Sequence, residues 1–284
     1  MTKNLTPCFE APSFFKRIMG MLKVDFYRLF HTPLFYIFLC IAAIIPAMIL
    51  GTSTLATEDA SGQLYMNAWH IIAASEPLYV VRSIADYANM NMVFIFGGIM
   101  VSLFIGSDYR SGYVKQLFTT HAKKQDYMIS KTLSCAFSMA CMCITYTIGG
   151  VVGGLFAGAS FEVSPLHLIC AILGKIAMSL GWAGLYTFIN VILRKFFAIS
   201  IGLSFFFGTG ILIIGAGAIV EMLGIPSVLL NAFLYGSSVF ACLHTGTAFY
   251  VPMLALLLCL VISVSWAVIY ILVGTKILSK SDVY

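Results

Sequence analysis

Residues 107–131 read SDYRSGYVKQLFTTHAKKQDYMISK. Seven charged side chains, Asp108, Arg110, Lys115, Lys123, Lys124, Asp126 and Lys131, fall within these 25 residues, although charged residues make up only 10% of the 284-residue chain and hydrophobic ones 61%. Apolar runs flank the stretch and recur along the chain. Several exceed the roughly 18 to 20 residues that a helix needs to cross about 30 Å of hydrocarbon. A backbone in lipid must satisfy its own hydrogen bonds, so only helices and closed barrels can span it. The short segments of period-2 alternation that mark a membrane barrel are absent from this sequence. The expectation is an all-α integral membrane protein in which one helical membrane domain, residues 1–284, fills the chain.

Six membrane helices are placed by the apolar runs: Pro33 to Gly51, Asn91 to Gly106, Thr132 to Ala157, Leu166 to Leu193, Phe196 to Val220 and Val251 to Thr275. The first run begins too far from the N-terminus for a removable signal peptide and reads as a retained helix. The connecting segments alternate in basic charge. Lys3, Lys16, Arg17, Lys23 and Arg28 precede the first helix; Arg110, Lys115, Lys123, Lys124 and Lys131 follow the second. Arg194 and Lys195 follow the fourth, and Lys276 and Lys280 lie at the end of the sixth. Fourteen of the sixteen basic residues therefore share one side, leaving Arg82 and Lys175. By the positive-inside rule that side is cytoplasmic, with both termini inside. Glu58, Asp59, Glu76, Asp86, Glu162 and Glu221 fall on the opposite side.

Ahead of the first span, Phe15, Ile18, Leu22, Phe26 and Leu29 recur at helical spacing, with Lys16, Arg17, Lys23 and Arg28 on the other side. Residues 12–31 thus read as an interfacial helix whose basic face suits anionic headgroups. Its role is either a simple anchor or contact with a partner.

Positive-inside bias accounts for the lysines of the 107–131 loop but not for the order of its residues. Asp108, Arg110, Ser111 and Gly112 end a membrane helix and Tyr113 to Phe118 form a short amphipathic piece. Thr119 and Thr120 offer caps for a second short helix leading towards Lys131. Leu117 and Phe118 would be poorly used in solvent, whereas a partner's groove would bury them, each contributing roughly 1.5 to 3 kcal/mol. The loop reads as a docking element.

The segment DYRSGYVKQLF, residues 108–118, resembles the loop between the second and third helices of ABC-2 type ABC transporter permeases. There an acidic residue is followed by Ser-Gly-Thr, a Leu-containing turn and basic residues. This sequence has Asp108 where Glu is commoner, Tyr113 where Thr is usual, and THAKK where Pro and Ser-Arg are frequent. The resemblance implies a coupling helix that inserts into a separate ATPase subunit, and assigns that role to Tyr113, Val114, Lys115, Gln116, Leu117 and Phe118. It also implies two copies of the ATP-binding subunit, with ATP and Mg²⁺ bound there, driving two copies of this chain. The size and external loop are most similar to bacterial exporters of antimicrobial or toxin peptides. That likeness implies a place in the bacterial cytoplasmic membrane. No nucleic-acid partner is expected.

Two outer segments read as caps. Residues 52–90 form a long, more polar loop in which Pro77 suits a first helical position. In residues 221–250 the apolar stretch IPSVLLNAFLYGSSVFACL is broken at Tyr235 to Ser238, so neither half can cross. It either re-enters or lies flat. Lys175, nine residues into the fourth span, is the candidate pathway residue; the alternative is that it snorkels to the outer surface. Gly149, Gly150, Gly153, Gly154 and Gly158 produce small-xxx-small spacings for close helix contact. Gly208, Gly210, Gly215 and Gly217 are common membrane-helix glycines rather than a designated hinge.

The eight cysteines do not form a disulfide framework, because Cys40, Cys135, Cys141, Cys143, Cys170 and Cys259 fall in apolar spans, Cys8 precedes them and Cys242 lies outside. The histidines lack metal spacing, and no HExxH, GxSxG or GxxxxGK[ST] pattern is present. No cofactor or catalytic site is expected in this chain, so energy comes from a partner. The leading expectation is the permease of an ATP-driven exporter for hydrophobic or amphipathic peptides or lipid-like compounds. The first alternative is a membrane immunity or sensor protein that binds such peptides without transporting them. An ion-coupled secondary transporter ranks last, since intramembrane carboxylates and broken midplane helices are not evident.

Overall fold

The computed structural model describes residues 12–52, 57–58, 64–65, 91–119, 122–158, 165–194, 196–209, 219, 222–224 and 252–280. Its helices, in chain order, are α1 (Phe14–His31), α2 (Pro33–Thr52), α3 (Asn91–Arg110), α4 (Tyr113–Thr119), α5 (Lys124–Ala157), α6 (Pro165–Leu193), α7 (Phe197–Gly208) and α8 (Pro252–Lys280). Two-residue strands, β1 (Thr57–Glu58) and β2 (Leu64–Tyr65), pair antiparallel within the first outer segment. The proposed cap over 52–90 otherwise lies outside the described residues. So does the outer 221–250 segment, apart from 222–224.

The protein is an all-α membrane protein. Four described helices, α3, α5, α6 and α8, are long and apolar enough to cross a bilayer, and α1 with α2 forms a bent pair that counts as a fifth when the two are taken as one broken span. The described part of α7 is 12 residues, so a sixth crossing would need residues beyond it. The third span is longer than its apolar run suggested. Helix α5 starts at Lys124 and continues for 34 residues, about 51 Å at 1.5 Å per residue, so its first two turns project past the hydrocarbon. Thr119 therefore does not cap a separate short helix, and Thr120 lies outside the described residues. The N-cap is Lys123, and the Thr119 hydroxyl donates to the Gln116 carbonyl inside α4.

The chain turns by 66° between α1 and α2. Thr32 is extended there, and its hydroxyl donates to the Arg28 carbonyl at 2.6 Å, capping the end of α1. Of the apolar residues expected on one face of α1, Leu29 is buried, Phe26 packs against the core, Ile18 and Leu22 are half-buried, and only Phe15 is exposed. Phe14, Phe15, Met19, Val24, Tyr27 and Phe30 are exposed, whereas Asp25 and Leu29 are buried. Lys16 and Lys23 stay on the surface, but Arg17 and Arg28 turn into the protein to meet carboxylates. The inner side of α1 thus carries apolar and charged groups together, while further apolar side chains stand on its outer side.

Two close helix contacts hold the bundle. On α5, Gly149 and Gly153 press against α2: a Cβ added at Gly149 would land on the Ala43 carbonyl, and one at Gly153 would lie 2.5 Å from Ala47 Cα. Small residues on both helices let the backbones touch, as the glycine spacing implied. Between α6 and α8, the Ser263 hydroxyl accepts from the Gly181 N–H at 2.7 Å and donates to the Ala177 carbonyl at 2.7 Å. Helix α3 runs through the middle, with Phe94 stacked on Trp182 of α6 at 5.3 Å between ring centroids. Nearby the buried Asn190 amide donates to Ser102 at 3.1 Å and accepts from Ser200 at 2.7 Å, tying α3, α6 and α7. These polar groups satisfy one another, which is what makes them tolerable inside an apolar bundle.

Candidate functional site

The end of α3, all of α4, the start of α5 and the ends of α6 and α8 come together at one end of the bundle, here called the charged end. Gly112 makes the turn from α3 to α4 with φ at +72°, a left-handed conformation that only glycine adopts without strain. The Ser111 N–H bonds back to Ser107 and the Lys115 N–H to Gly112, closing the turn on both sides.

Beneath α4 lies a buried ion network. Lys131 of α5 reaches Asp25 of α1 at 2.5 Å and Asp108 of α3 at 2.6 Å. Arg28 of α1 reaches the other Asp108 oxygen at 2.5 Å, and Ser130 donates to the second Asp25 oxygen at 2.6 Å. A separate pair joins Arg17 to Asp126 at 2.8 Å. Asp25, Asp108 and Lys131 are buried, so each charge depends on its partners for the solvation that water would otherwise supply.

Helix α4 is tied to this network by Tyr113, whose ring lies under the Arg28 guanidinium at 4.3 Å and 5.6 Å from the Lys131 ammonium. Burial, with the Asp25 charge adding to it, pushes the Tyr113 phenol up, so it stays neutral. Val114 is buried against Tyr127 and Met128 of α5, Val191 of α6 and Leu278 of α8. The Lys124 ammonium donates to the Leu278 carbonyl at 2.8 Å, satisfying the end of α8.

The six residues of the expected docking helix thus separate by face. Lys115 and Gln116, with Thr119, are exposed. Tyr113 and Val114 point into the protein. Leu117 and Phe118 are half-buried on their own chain, Phe118 edge-on to Tyr127 at 5.7 Å, rather than standing free for a partner. The structure brings these residues together with Asp25, which the sequence reading did not single out. Its signal was an isolated acid within a basic amphipathic stretch, 106 residues from Lys131.

Lys175 lies far from this cluster and does not snorkel. Its side chain is fully buried within the chain, and its ammonium has no hydrogen-bond partner among the described residues. No group of three or more potential metal ligands occurs among the described residues either.

A bundle of long helices, a basic amphipathic helix ahead of the first span and a short helix in the loop before α5 are parts that the sequence led one to expect. A family profile described as ABC-2 family transporter protein matches residues 21–211, from the middle of α1 to just beyond the described part of α7. No curated relative matches the chain. The matched region covers about two thirds of the chain and includes the charged end apart from Arg17 and the tail of α8. The chain belongs to the ABC-2 family of transporter proteins.

Proposed function

We propose that this protein is the permease subunit of an ATP-driven exporter in a bacterial cytoplasmic membrane. It moves hydrophobic or amphipathic peptides, or lipid-like compounds, with α4 as the docking point for a separate ATP-binding subunit. The family implies that such a subunit exists. One observation supports this reading: α4 presents Lys115, Gln116 and Thr119 outwards while its other face grips α5, α6 and α8 through Val114 and, by way of Tyr113, the ion network. A push on α4 is therefore delivered to α1, α3 and α5 together. Two permease copies about a twofold axis, each with its own ATP-binding subunit, form the working unit, and the route for bulky cargo lies at their interface. The cargo class is supported by the apolar walls, because a wall of Leu, Phe and Met cannot compensate a desolvated sugar or multiply charged solute.

Docking is tested on the exposed face. Lys115→Glu combined with Gln116→Ala is expected to leave the melting temperature unchanged and to lower co-purification of the subunit bearing the phosphate-binding loop by about tenfold or more. Aspartates at Leu117 and Phe118 would also break the packing on Tyr127, so they are the less clean probe. Undiminished co-purification would place docking elsewhere. Failure of the wild-type chain to recover any ATP-binding subunit would favour the non-transporting immunity or sensor reading.

The same reading puts the charged end in the cytoplasm. With Cys8 and Cys242 replaced by serine, a Gln116→Cys variant is expected to react with an impermeant thiol reagent only after permeabilisation. Labelling in intact cells would reverse the orientation.

A further inference from the structure

Among the described residues, the buried charges Asp25, Asp108, Asp126 and Lys131 are all ion-paired at the charged end. Lys175 is fully buried and has no hydrogen-bond partner there. It lies ten residues after Pro165 and eighteen before Leu193, about 15 Å and 27 Å along α6, and so in the half of the bundle away from the charged end.

Its surroundings are small and neutral. One turn on from Lys175, the Ser179 hydroxyl lies 3.8 Å from the Cys143 thiol of α5. At Gly174 the facing group is the Cys259 thiol of α8, which an added Cβ would approach only to 3.5 Å, an ordinary van der Waals distance. Towards the charged end the seam between α6 and α8 is closed by the two Ser263 hydrogen bonds. At the level of Lys175 it holds only the small pair of Gly174 and the Cys259 thiol. Thiols and hydroxyls cannot neutralise that charge, and an ammonium in hydrocarbon without a counter-charge is costly.

We infer that Lys175 is the internal counter-charge for a single anionic group, a carboxylate or phosphate, carried by the transported amphiphile. The inference rests on the exporter reading and narrows its substrate class. An anion leaving the charged end has about 27 Å to travel along α6 without meeting a charged side chain of that helix, and Lys175 is the point at which both unpaired charges are relieved together. Lysine suits this role, being a compact charge on a flexible stem that accepts either anion without demanding a planar, bidentate fit.

The test uses the full chain with its ATP-binding subunit in nanodiscs of uncharged lipid. Three probe pairs are compared: an amphipathic peptide with a free C-terminal carboxylate against its amide, lauric acid against 1-dodecanol, and monododecyl phosphate against 1-dodecanol. The concentration giving half-maximal ATPase stimulation is read for wild type, Lys175→Met and Lys175→Arg. At least one anionic probe is expected to act at about tenfold lower concentration than its neutral partner, the size of a charge-assisted hydrogen bond. Lys175→Met erases the difference and Lys175→Arg keeps it; the pair that discriminates identifies the source of the anion. Lys175→Met is also expected to raise the melting temperature of the chain, because it replaces a buried unpaired charge by an apolar group of similar volume. Discrimination that survives Lys175→Met, equal action of acidic and neutral probes, or a lowered melting temperature in Lys175→Met overturns the inference, the last by revealing a partner within the protein. Equal stimulation by both members of every pair leaves the exporter reading standing. A complex that no amphiphile stimulates removes both.

Discussion

Lys131→Met is expected to lower the melting temperature of the purified chain by about 10 °C or to prevent its accumulation in the membrane. Breaking a buried charge pair by removing one partner costs about 3 to 5 kcal/mol, because the remaining charge keeps its desolvation without compensation. For a domain of this size each kcal/mol corresponds to roughly 2 to 4 °C. In this protein the loss falls mainly on Asp25. Asp108 would retain Arg28, whereas Asp25 would retain only the Ser130 hydroxyl. The second step of the experiment follows from that difference. Asp25→Asn added to Lys131→Met is expected to recover a large part of the loss, since it removes the orphaned carboxylate. Asp25→Asn alone is expected to cost less, because Lys131 keeps Asp108. A double variant no more stable than Lys131→Met would mean that Asp25 does not carry the penalty, and a Lys131→Met variant as stable as wild type would mean that the network is not formed.

The second large effect lies at the contact of α2 and α5. Gly149→Val and Gly153→Val are each expected to destabilise the chain by about 1 to 3 kcal/mol or more, the range for overpacking a tight contact. These positions fall at the upper end because the added carbons meet backbone rather than movable side chains: the Ala43 carbonyl for Gly149 and Ala47 Cα for Gly153. The helices must separate along the whole contact, and lipid then enters between them. Gly20 on the exposed part of α1 is the control. Nothing lies within 4 Å of a Cβ added there, so Gly20→Ala is expected to stabilise by about 0.5 to 1 kcal/mol through helix propensity alone. Thermal unfolding in detergent measures both. If the α5 valine variants melt where wild type does, α2 does not rest on those glycines.

Much of the architecture was legible in the residues themselves. Bilayer thickness sets how long an apolar helix must be, so Pro33–Thr52, Pro165–Leu193 and Pro252–Lys280 could be placed within a few residues by composition. Asn91–Arg110 and Lys124–Ala157 ran four and eight residues further into the charged loop than their apolar runs, because a helix stops at its caps and not where hydropathy falls. The glycine spacing on α5 announced a close contact but not its partner, since any helix with small residues would fit.

The candidate site was legible only as a locality. The 108–118 segment pointed to a docking loop, and α4 stands there, yet which of its residues face outwards depended on α5, α6 and α8 lying beneath Val114, Leu117 and Phe118. The ion network was beyond sequence reading for a similar reason: Asp25, Asp108 and Lys131 lie in three separate segments, and pairing of charges depends on distance in space. The inward turn of Arg17 and Arg28 was likewise decided by the fold. Helical periodicity distinguishes two faces of α1, but only the packed structure says which meets lipid and which meets protein. By itself the sequence determined membrane residence, the helical class and the single charged end, because these follow from the solvation of backbone and side chains in hydrocarbon. Only the tertiary structure decided which charges neutralise one another and that Lys175 is left without a partner among the described residues, because a buried charge is compensated by whatever the fold brings within a few ångströms of it.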